Sequence, residues 1–391
     1  MRILFVNEKC GYFGGAEQNV AATAQGLRAN GHRCFLAYGT GTERDFDHYR
    51  SLFDGVFQCR DIQGPLEKVG HPFEDVIAKV SPDVIYVHKV PKVDFCLSFL
   101  HKIHTVRMIH DHDVCCPRRH KYYVHNGRVC TNEAGWRCYL DLAFLEKGPQ
   151  GRRIPGYVSI GRKLAEMRRN YDFDKLLVGS RFMRQELLQN GFPVSKVRIL
   201  PPMVPIEPVG ATPVPGEPTI LCVAQLIRGK GVDLLLKSLK KVACDFRATI
   251  VGTGNAEGKL AELCHRLQLD DRVRFKGWVN NNEIGSFYSA ARVVAVPSRW
   301  PEPFGMIGLE AMHHGRPVVA FNVGGIPDWL ESDVTGLIAP EQDVDALADA
   351  LGRILKDREL ARELGEKGLS RVRERFSFED YLHQTLELLR N

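Results

Sequence analysis

Short apolar runs alternate along the chain with amphipathic segments that have the period of an α-helix. The run RILFVNE at residues 2–8 is typical of a buried strand, and the loop KCGYFGG separates it from a helix predicted from Ala16 to Asn30. Gly31 suits a helix C-terminal cap, and RCFLAYG follows as the next strand. This strand–loop–helix–strand order predicts a parallel sheet.

The same alternation continues and then restarts after a proline-rich stretch. Further predicted strands of the first half are DVIYVH, TVRMIH, KLLVGS and KVRIL. Residues 201–218 hold seven prolines, a density that no regular element tolerates, so we expect an extended linker there. Beyond it the predicted strands are TILCVA, FRATIVG, RVRFKG, RVVAVPS and PVVAF. Two α/β halves would form a cleft between the carboxyl ends of their sheets, where ligands bind in open α/β folds.

Length and hydropathy agree with two domains kept in the cytosol. A chain of 391 residues is too long for one ordinary core. The first apolar run ends at Asn7 and Glu8 and is too short for a signal-peptide core. No apolar run approaches the roughly 18 residues that a bilayer span requires.

The positive charge is concentrated in one region. Residues 101–200 contain 19 Lys or Arg and 9 Asp or Glu, a net charge of +10, so the remainder carries −4 against the total of +6. This asymmetry argues against a general nucleic-acid binder and for a local anionic partner. The segment GRKLAEMRRN, with Arg168 and Arg169, is a predicted basic helix that would meet anionic lipid headgroups or a phosphorylated glycolipid. A solvated basic face is the alternative.

Two loops have the composition of anion sites. Gly14 and Gly15 lie between the first strand and its helix, where glycine lets backbone approach a ligand, although the GxGxxG fingerprint of dinucleotide sites is absent. The stretch AQLIRGKG at 224–231 places Arg228 and Lys230 at a helix start, where an anion would meet backbone amides. A plain turn is the alternative for each.

The stretch WPEPFGMIGLEAM, residues 300–312, sets two carboxylates around a helix start. The amides of Gly305, Met306 and Ile307 would favour a diphosphate. Glu310, little more than one turn further on, would accept hydrogen bonds from vicinal ribose hydroxyls, and Glu302 from sugar hydroxyls. The alternative is that both are ordinary acids at a helix start.

With seven residues between its glutamates, EPFGMIGLE resembles the E-x7-E motif of retaining GT-B glycosyltransferases, especially glycosyltransferase family 4. Other stretches similar to that family are GGAEQNV, KGVDLLLKSL, VGTGN, FKGWVNNNEIGSFYSAARVVAVPS and EAMHHGRPVVAFNVGGIPDWL, so the resemblance covers nearly the whole chain. It implies the α/β GT-B fold, with two Rossmann-like domains facing each other across a cleft. The expected parts are an acceptor-binding domain (1–205) with an insert at about 111–155, a linker (206–218), a nucleotide-sugar-binding domain (219–373) and a helix crossing back (374–391).

The resemblance also implies roles for single residues. Lys230 would clamp the donor diphosphate, and Gly14 and Gly15 would approach it. His110 would point at the transferred sugar, and a satisfied structural histidine is the alternative. Further donor contacts are implied for Gln225, Arg228, Val279, Phe304, Gly305, Met306 and Ile307, besides Glu302 and Glu310. Gln225 stands where the family commonly has an arginine, whose guanidinium a neutral amide cannot replace, and Arg228 is the candidate substitute.

The implied activity is retaining transfer from a nucleotide-diphosphate sugar to a hydroxyl of a glycan or glycolipid, in cell-surface polysaccharide or lipopolysaccharide assembly. We expect no cofactor, because Lys230 and the helix terminus would neutralise the leaving diphosphate without a metal. We also expect no nucleic-acid partner and a cytoplasmic location, peripheral at the inner face of the membrane; the sequence specifies no oligomeric state. The alternatives are a sugar-nucleotide epimerase or phosphorylase on the same fold, or a non-catalytic binding protein that uses the basic face.

The insert is rich in cysteine. Some family members have an insert here that ends in a C-x2-C pair, whereas this chain has Cys116, Cys130 and Cys138, with Asp141 where the last cysteine would stand. Two interpretations remain open: a structural zinc site completed by Cys115, His120 or His125, or reduced structural cysteines.

Overall fold

Two sheets of parallel strands organise the chain. The computed structural model describes residues 1–41, 45–63, 70–97, 99–123, 125–146, 156–203 and 212–390. Parts of the expected linker (206–211) and insert (147–155) lie outside the described residues. The first compact unit consists of Met1–His120, Thr131–Pro205 and Phe378–Asn391, and the second of Lys121–Cys130 and Ile206–Ser377.

The first unit contains a seven-stranded parallel sheet. The strands of the sheet are β1 (Arg2–Cys10), β2 (Arg33–Gly41), β3 (Gly55–Gln58), β4 (Val84–Val87), β5 (His104–Ile109), β8 (Lys175–Val178) and β9 (Val197–Ile199). Two further short strands are β6 (Leu145–Glu146) and β7 (Gly156–Tyr157). The sheet order is β3-β2-β1-β4-β5-β8-β9, and β6 and β7 form a separate antiparallel pair. The helices are α1 (Gly15–Ala29), α2 (Phe46–Ser51), α3 (Arg60–Gln63), α4 (Phe73–Val80), α5 (Arg137–Leu140), α6 (Ile160–Arg168) and α7 (Arg181–Gln189).

The second unit repeats this design with six parallel strands. They are β10 (Thr219–Val223), β11 (Arg247–Val251), β12 (Val273–Gly277), β13 (Val293–Val296), β14 (Val318–Phe321) and β15 (Gly336–Ala339), in the order β12-β11-β10-β13-β14-β15. The helices are α8 (Val232–Lys241), α9 (Glu257–Arg266), α10 (Asn281–Ala290), α11 (Met306–His313), α12 (Ile326–Trp329), α13 (Val344–Lys356) and α14 (Arg358–Arg375). Strands β13 and β14 are buried at every residue, as expected for a parallel sheet that is covered on both faces.

The cysteine-rich insert does not fold as one piece with the first unit. Its segment Lys121–Cys130 belongs to the second unit, where Tyr122 and Val129 form an antiparallel bridge. The Val129 amide donates to Glu341 Oε1 at 2.6 Å. The expected domain 1–205 therefore differs from the first unit by this segment, because hydrogen bonds to the second unit hold it there. Among the helices of the described residues, none is both long and apolar enough to span a bilayer.

The last helix, α15 (Phe378–Arg390), belongs to the first unit. Tyr381 on this helix is buried, and its hydroxyl lies 2.8 Å from Thr23 Oγ1 and 3.1 Å from Asn19 Nδ2, both on α1. Asn19 Nδ2 also donates to the Met203 carbonyl oxygen at 2.8 Å. A buried polar cluster thus fixes the position of α15 against α1.

We predict that Tyr381→Phe lowers the free energy of unfolding by about 1–2 kcal/mol, because buried hydrogen bonds are lost without loss of ring volume. Urea denaturation followed by circular dichroism measures this change. Tyr157→Phe is the control, since Tyr157 is exposed, and it should leave the free energy unchanged. Equal stability of the two variants would contradict the role of the cluster.

Candidate functional site

The first glycine loop leaves space above its backbone. Gly14 is the N-cap of α1, with an extended backbone (φ −165°) that any residue adopts. A Cβ at Gly14 would meet only the Glu17 Oε2 atom, at an ordinary contact distance of 3.7 Å. Among the described residues, then, neither backbone conformation nor packing requires glycine at this position. A ligand that approaches the backbone would explain it.

Beneath this loop lies a buried carboxyl group. Glu17 is 3% exposed and accepts a hydrogen bond from Asn7 Nδ2 at 3.4 Å. Burial raises the pKa of Glu17, and the contact with Asn7 opposes that rise. Glu17 therefore lies in the protein interior. An acid in the first turn of a helix would, from the sequence alone, be expected at the surface.

His110 has a partner that was not predicted from the sequence. The adjacent parallel strands β4 and β5 each end one residue before a histidine, His88 and His110. The His88 Nδ1 and His110 Nε2 atoms lie 2.9 Å apart, and the His88 ring stacks on Phe5 with centroids 5.7 Å apart. The signal was present in VIYVH and VRMIH, since neighbouring parallel strands end at the same edge of a sheet. The register pairs Val87 with Arg107, so the two histidines are offset by two positions and meet beyond the strand ends.

Both histidines are held neutral. Burial lowers the pKa of His110 to about 4 against the opposing charge of Asp111, and burial lowers the pKa of His88 well below its usual range. One neutral ring must therefore donate to the other. Asp111 itself is paired with Lys89 (3.2 Å), whose amide donates to Asn7 Oδ1 at 3.1 Å. The network thus links the ends of β1, β4 and β5.

In the second unit, Lys230 sits in a tight turn after β10. Its neighbour Gly231 has φ +65°, and a Cβ there would lie 1.9 Å from the Pro297 carbonyl oxygen, so only glycine fits. Lys230 Nζ lies 2.7 Å from Glu302 Oε1. Gln225 and Arg228 have exposed side chains on the same segment.

Glu302 is buried and held on several sides. It is 6% exposed, and its Oε1 atom accepts from Ser298 Oγ at 2.5 Å as well as from Lys230. Its carbonyl oxygen accepts from the Gly325 amide at 2.7 Å. Gly324 has φ +58°, and a Cβ there would lie 2.3 Å from that carbonyl oxygen. The loop before α11 is therefore locked by the loop after β14.

Glu310 lies one turn into α11 and also has a fixed partner. Its Oε2 atom accepts from the Tyr288 hydroxyl at 2.7 Å, and the Tyr288 ring stacks on His314 with centroids 5.1 Å apart. Burial raises the pKa of Glu310, while the bond from Tyr288 opposes that rise. One oxygen is thus occupied by the protein, and the half-buried carboxyl group can offer the other to a ligand.

The start of α11 has the backbone of an anion site. Gly305 is its N-cap with φ +95°, a left-handed conformation that favours glycine, and the helix begins at Met306, followed by Ile307. Phe304 is buried, and its carbonyl oxygen accepts from Trp329 Nε1 at 2.7 Å. The structure thus brings Lys230, Glu302 and the residues that open α11 onto connected turns of one sheet edge. Val279, the remaining predicted donor contact, is buried after β12.

Neither Ser298 nor Tyr288 was predicted from the sequence. Ser298 follows β13 in VPSRW, four residues before Glu302, which was the available signal. Tyr288 lies 22 residues from Glu310, and no local pattern connects them. Arg299 was also missed; it binds Asp233 through two contacts of 2.9 Å and donates to the Arg228 carbonyl oxygen at 2.6 Å, which braces the Lys230 turn.

The described cysteines and their neighbours give no support to zinc. Within the described ranges, no three His, Cys, Asp or Glu side chains are grouped so that they could hold a metal ion. Cys116 and Cys138 are in the first unit and Cys130 is in the second. Cys115 Sγ instead lies 3.7 Å from His112 Nδ1.

Two family profiles divide the chain between them. The profile of Glycosyltransferase Family 4 matches residues 13–208, and that of Glycosyl transferases group 1 matches residues 209–371. A GDP-mannose-dependent alpha-(1-6)-phosphatidylinositol monomannoside mannosyltransferase of Mycobacterium tuberculosis is 32% identical over 183 residues, 44% of this chain and 48% of that protein. A D-inositol 3-phosphate glycosyltransferase of Xylanimonas cellulosilytica is 30% identical over 219 residues, 50% and 52% of the two chains. The matches span about half the length of these relatives.

Solved glycosyltransferase structures share the fold. Anabaena Alr3699/HepE in complex with UDP-glucose aligns with a TM-score of 0.75 at 20% identity, over 99% of this chain and 98% of that one. A sucrose-phosphate synthase from Thermosynechococcus elongatus aligns with a TM-score of 0.74 at 23% identity, over 99% and 98%. The predicted α/β GT-B class with two Rossmann-like domains is confirmed. Because the first profile covers half of the chain, this chain belongs to glycosyltransferase family 4.

Proposed function

We propose that this protein is a retaining glycosyltransferase that moves a sugar from a nucleotide-diphosphate sugar to a hydroxyl of a glycan or glycolipid. The pathway we propose is the assembly of a cell-surface polysaccharide or lipopolysaccharide. The observation that carries the proposal is the Lys230–Glu302 pair, 2.7 Å apart, which joins the turn after β10 to the loop that leads into the amino end of α11. A cation, a carboxylate and the first amides of a helix thus lie on neighbouring turns of the second unit.

The donor diphosphate would bind at the start of α11. The amides of Gly305 and Met306 have no partner within their helix and would donate to the β-phosphate. The Lys230 ammonium group would donate hydrogen bonds to the phosphate oxygens as well as to Glu302. Arg228 would be the second cation, because Gln225 stands where the family commonly has an arginine. Val279 and Phe304 would contribute backbone contacts to the nucleotide.

Glu310 would hold the ribose. Tyr288 occupies its Oε2 atom and favours the ionised carboxylate. The Oε1 atom would accept hydrogen bonds from the vicinal hydroxyls. Glu302, oriented by Ser298, would bind hydroxyls of the transferred sugar. The two glutamates thus have different tasks at the two ends of one diphosphate.

Transfer would follow from charge stabilisation at the leaving group. The anomeric carbon–oxygen bond to the diphosphate breaks, and Lys230 and the amides at the start of α11 stabilise the negative charge that develops, so the proposal needs no metal. The acceptor oxygen bonds to the anomeric carbon from the same face, and a donor phosphate oxygen takes the acceptor proton. A neutral His110, oriented by His88, would hydrogen-bond the sugar.

The proposed acceptor is a phosphate-bearing glycan or glycolipid, and the proposed location is the cytoplasmic face of a membrane. The names of the two relatives described above include a phosphatidylinositol monomannoside and an inositol 3-phosphate. Basic helix α6 supports an anionic surface nearby, although Arg169 is already paired with Asp94. Arg168 is exposed and is the better candidate of the two for contact with an anionic surface.

The proposal is tested first by calorimetric titration of the purified protein with UDP, GDP, ADP and dTDP, with and without magnesium. We expect one nucleotide to bind tightly without metal, and its sugar conjugate to be consumed with retained anomeric configuration by NMR. Failure of all four to bind would refute the donor site. A yellow absorbance band from lysine-bound pyridoxal phosphate would instead identify a phosphorylase.

Glu310→Ala should weaken nucleotide binding about 10- to 100-fold, because hydrogen bonds to a charged group contribute about 1.5–3 kcal/mol. Tyr288→Phe should weaken it less, since the carboxylate remains. The same titration measures both, and circular dichroism checks the fold. Unchanged affinity of Glu310→Ala would exclude the ribose role.

Gly14→Ala should fold normally, because its backbone is extended and the new methyl group has room. It should raise KM for the nucleotide sugar or lower kcat by about tenfold, because the methyl group would occupy the approach of the donor. Gly258→Ala is the matched control, since a Cβ there also meets open space. A Gly14→Ala enzyme with normal kinetics would argue that no ligand approaches this loop.

Acid should destabilise the protein through the His88–His110 pair. Because the folded pKa of His110, about 4, is below the unfolded value near 6.5, the unfolded chain binds more protons between these pH values. Stability is therefore lost as pH falls through this window, by about 2 kcal/mol for His110 between pH 7 and 5. Urea unfolding at both pH values should show a smaller loss in His110→Gln. The exposed His383→Gln control should behave as the parent protein, and equal losses in all three would contradict the assignment.

A further inference from the structure

Exposed apolar side chains are concentrated in one part of the first unit. Eleven large hydrophobic residues of the described chain are exposed, and six of them fall between residues 136 and 157. These six are Trp136 (68% exposed), Tyr139, Leu140 (75%), Leu142, Leu145 and Tyr157 (75%), here called the aromatic patch. Single exposed apolar residues need no explanation, but a cluster of this size marks an interaction surface.

A short helix, a turn and a two-stranded pair carry these exposed side chains. The single-turn helix α5 carries Tyr139 and Leu140, and Leu142 after it has φ +54°, an unfavourable conformation for a leucine that is also exposed. Leu145 pairs with Tyr157 across β6 and β7. The half-buried Phe144 joins the patch, with its ring 6.2 Å from Tyr139 and 5.5 Å from Tyr157.

Two arginines lie close to the patch along the chain. Arg137 is exposed on α5 and lies over the Trp136 ring at 5.7 Å. Arg162, on α6, which starts three residues after Tyr157, is 71% exposed, although its Nε atom also lies 3.5 Å from Glu166 Oε1. Nearby acids are largely neutralised. Asp141 pairs with Arg118 and Glu166 with Lys163, while Glu133 is exposed.

We propose that the aromatic patch is the surface by which this protein binds an anionic lipid bilayer. Tryptophan and tyrosine favour the headgroup level, leucines reach the acyl boundary, and arginines bind lipid phosphates. A second copy of the chain fits less well, because a two-fold contact would bring together two copies of the same arginine-flanked surface. The proposal deepens the membrane location proposed above and places the apolar contact on residues other than Arg168 and Arg169.

Vesicle co-sedimentation of the full chain tests it, with phosphatidylcholine vesicles that contain or lack phosphatidylglycerol. We expect binding to the anionic vesicles, and at least about tenfold weaker partition for Trp136→Ser/Leu140→Ser, which corresponds to about 1.4 kcal/mol of lost apolar transfer. Val194→Ser/Ile199→Ser is the matched control, because those residues are exposed elsewhere in the same unit and should bind as the parent does.

Insertion is measured by brominated-lipid quenching of tryptophan fluorescence. The parent protein should be quenched, and Trp136→Phe should bind vesicles but lose most of the quenching. Equal partition of the patch variant and the parent would overturn the proposal, as would concentration-dependent dimerisation without vesicle binding. Nucleotide titration of the patch variant should be unchanged, so failure here is distinguishable from failure of the transferase proposal.

Discussion

The buried carboxylate of Glu302 is the constraint on which the second unit's site depends. An ionised carboxylate that is 6% exposed requires a partner, and Lys230 supplies it at 2.7 Å. Removing Lys230 would leave the buried Glu302 carboxylate without its cation, whereas the Lys230 side chain is partly exposed and can be solvated. The pair therefore joins the turn after β10 to the loop before α11, whatever ligand is bound. A ligand phosphate that attracts Lys230 must compete with this bond.

The glycines near this pair follow from the same constraint. Gly231 lies against the Pro297 carbonyl oxygen and Gly324 against that of Glu302, so neither tolerates a side chain. Backbone segments approach this closely because three loops at one sheet edge must converge on the ion pair. Gly14 differs, since no described part of the chain fills the space above it. Gly231 and Gly324 thus allow close backbone packing in the second unit, whereas Gly14 leaves space above the backbone in the first unit.

In the first unit, too, residues at strand ends meet, and the insert after β5 exposes an apolar surface. His88 and His110 meet because β4 and β5 are adjacent and parallel, and burial keeps both rings uncharged. The family fold determines this arrangement of strands. The insert after β5 is less constrained, and it divides into the segment Lys121–Cys130 in the second unit and the aromatic patch in the first. Such an insert can acquire an interaction surface without disturbing the sheet.

The sequence by itself determined the alternation of strands and helices, the proline-rich break and the main candidate residues, including Lys230, Glu302 and Glu310. These features are local, because periodicity and turn composition depend on near neighbours. Only the tertiary structure decided the partners: Tyr288 for Glu310, His88 for His110, and Glu302 for Lys230 across 72 positions of chain. It also decided which apolar residues of the insert remain exposed. The physical reason is that strand order and packing bring together residues far apart in the chain, and no local pattern records that choice.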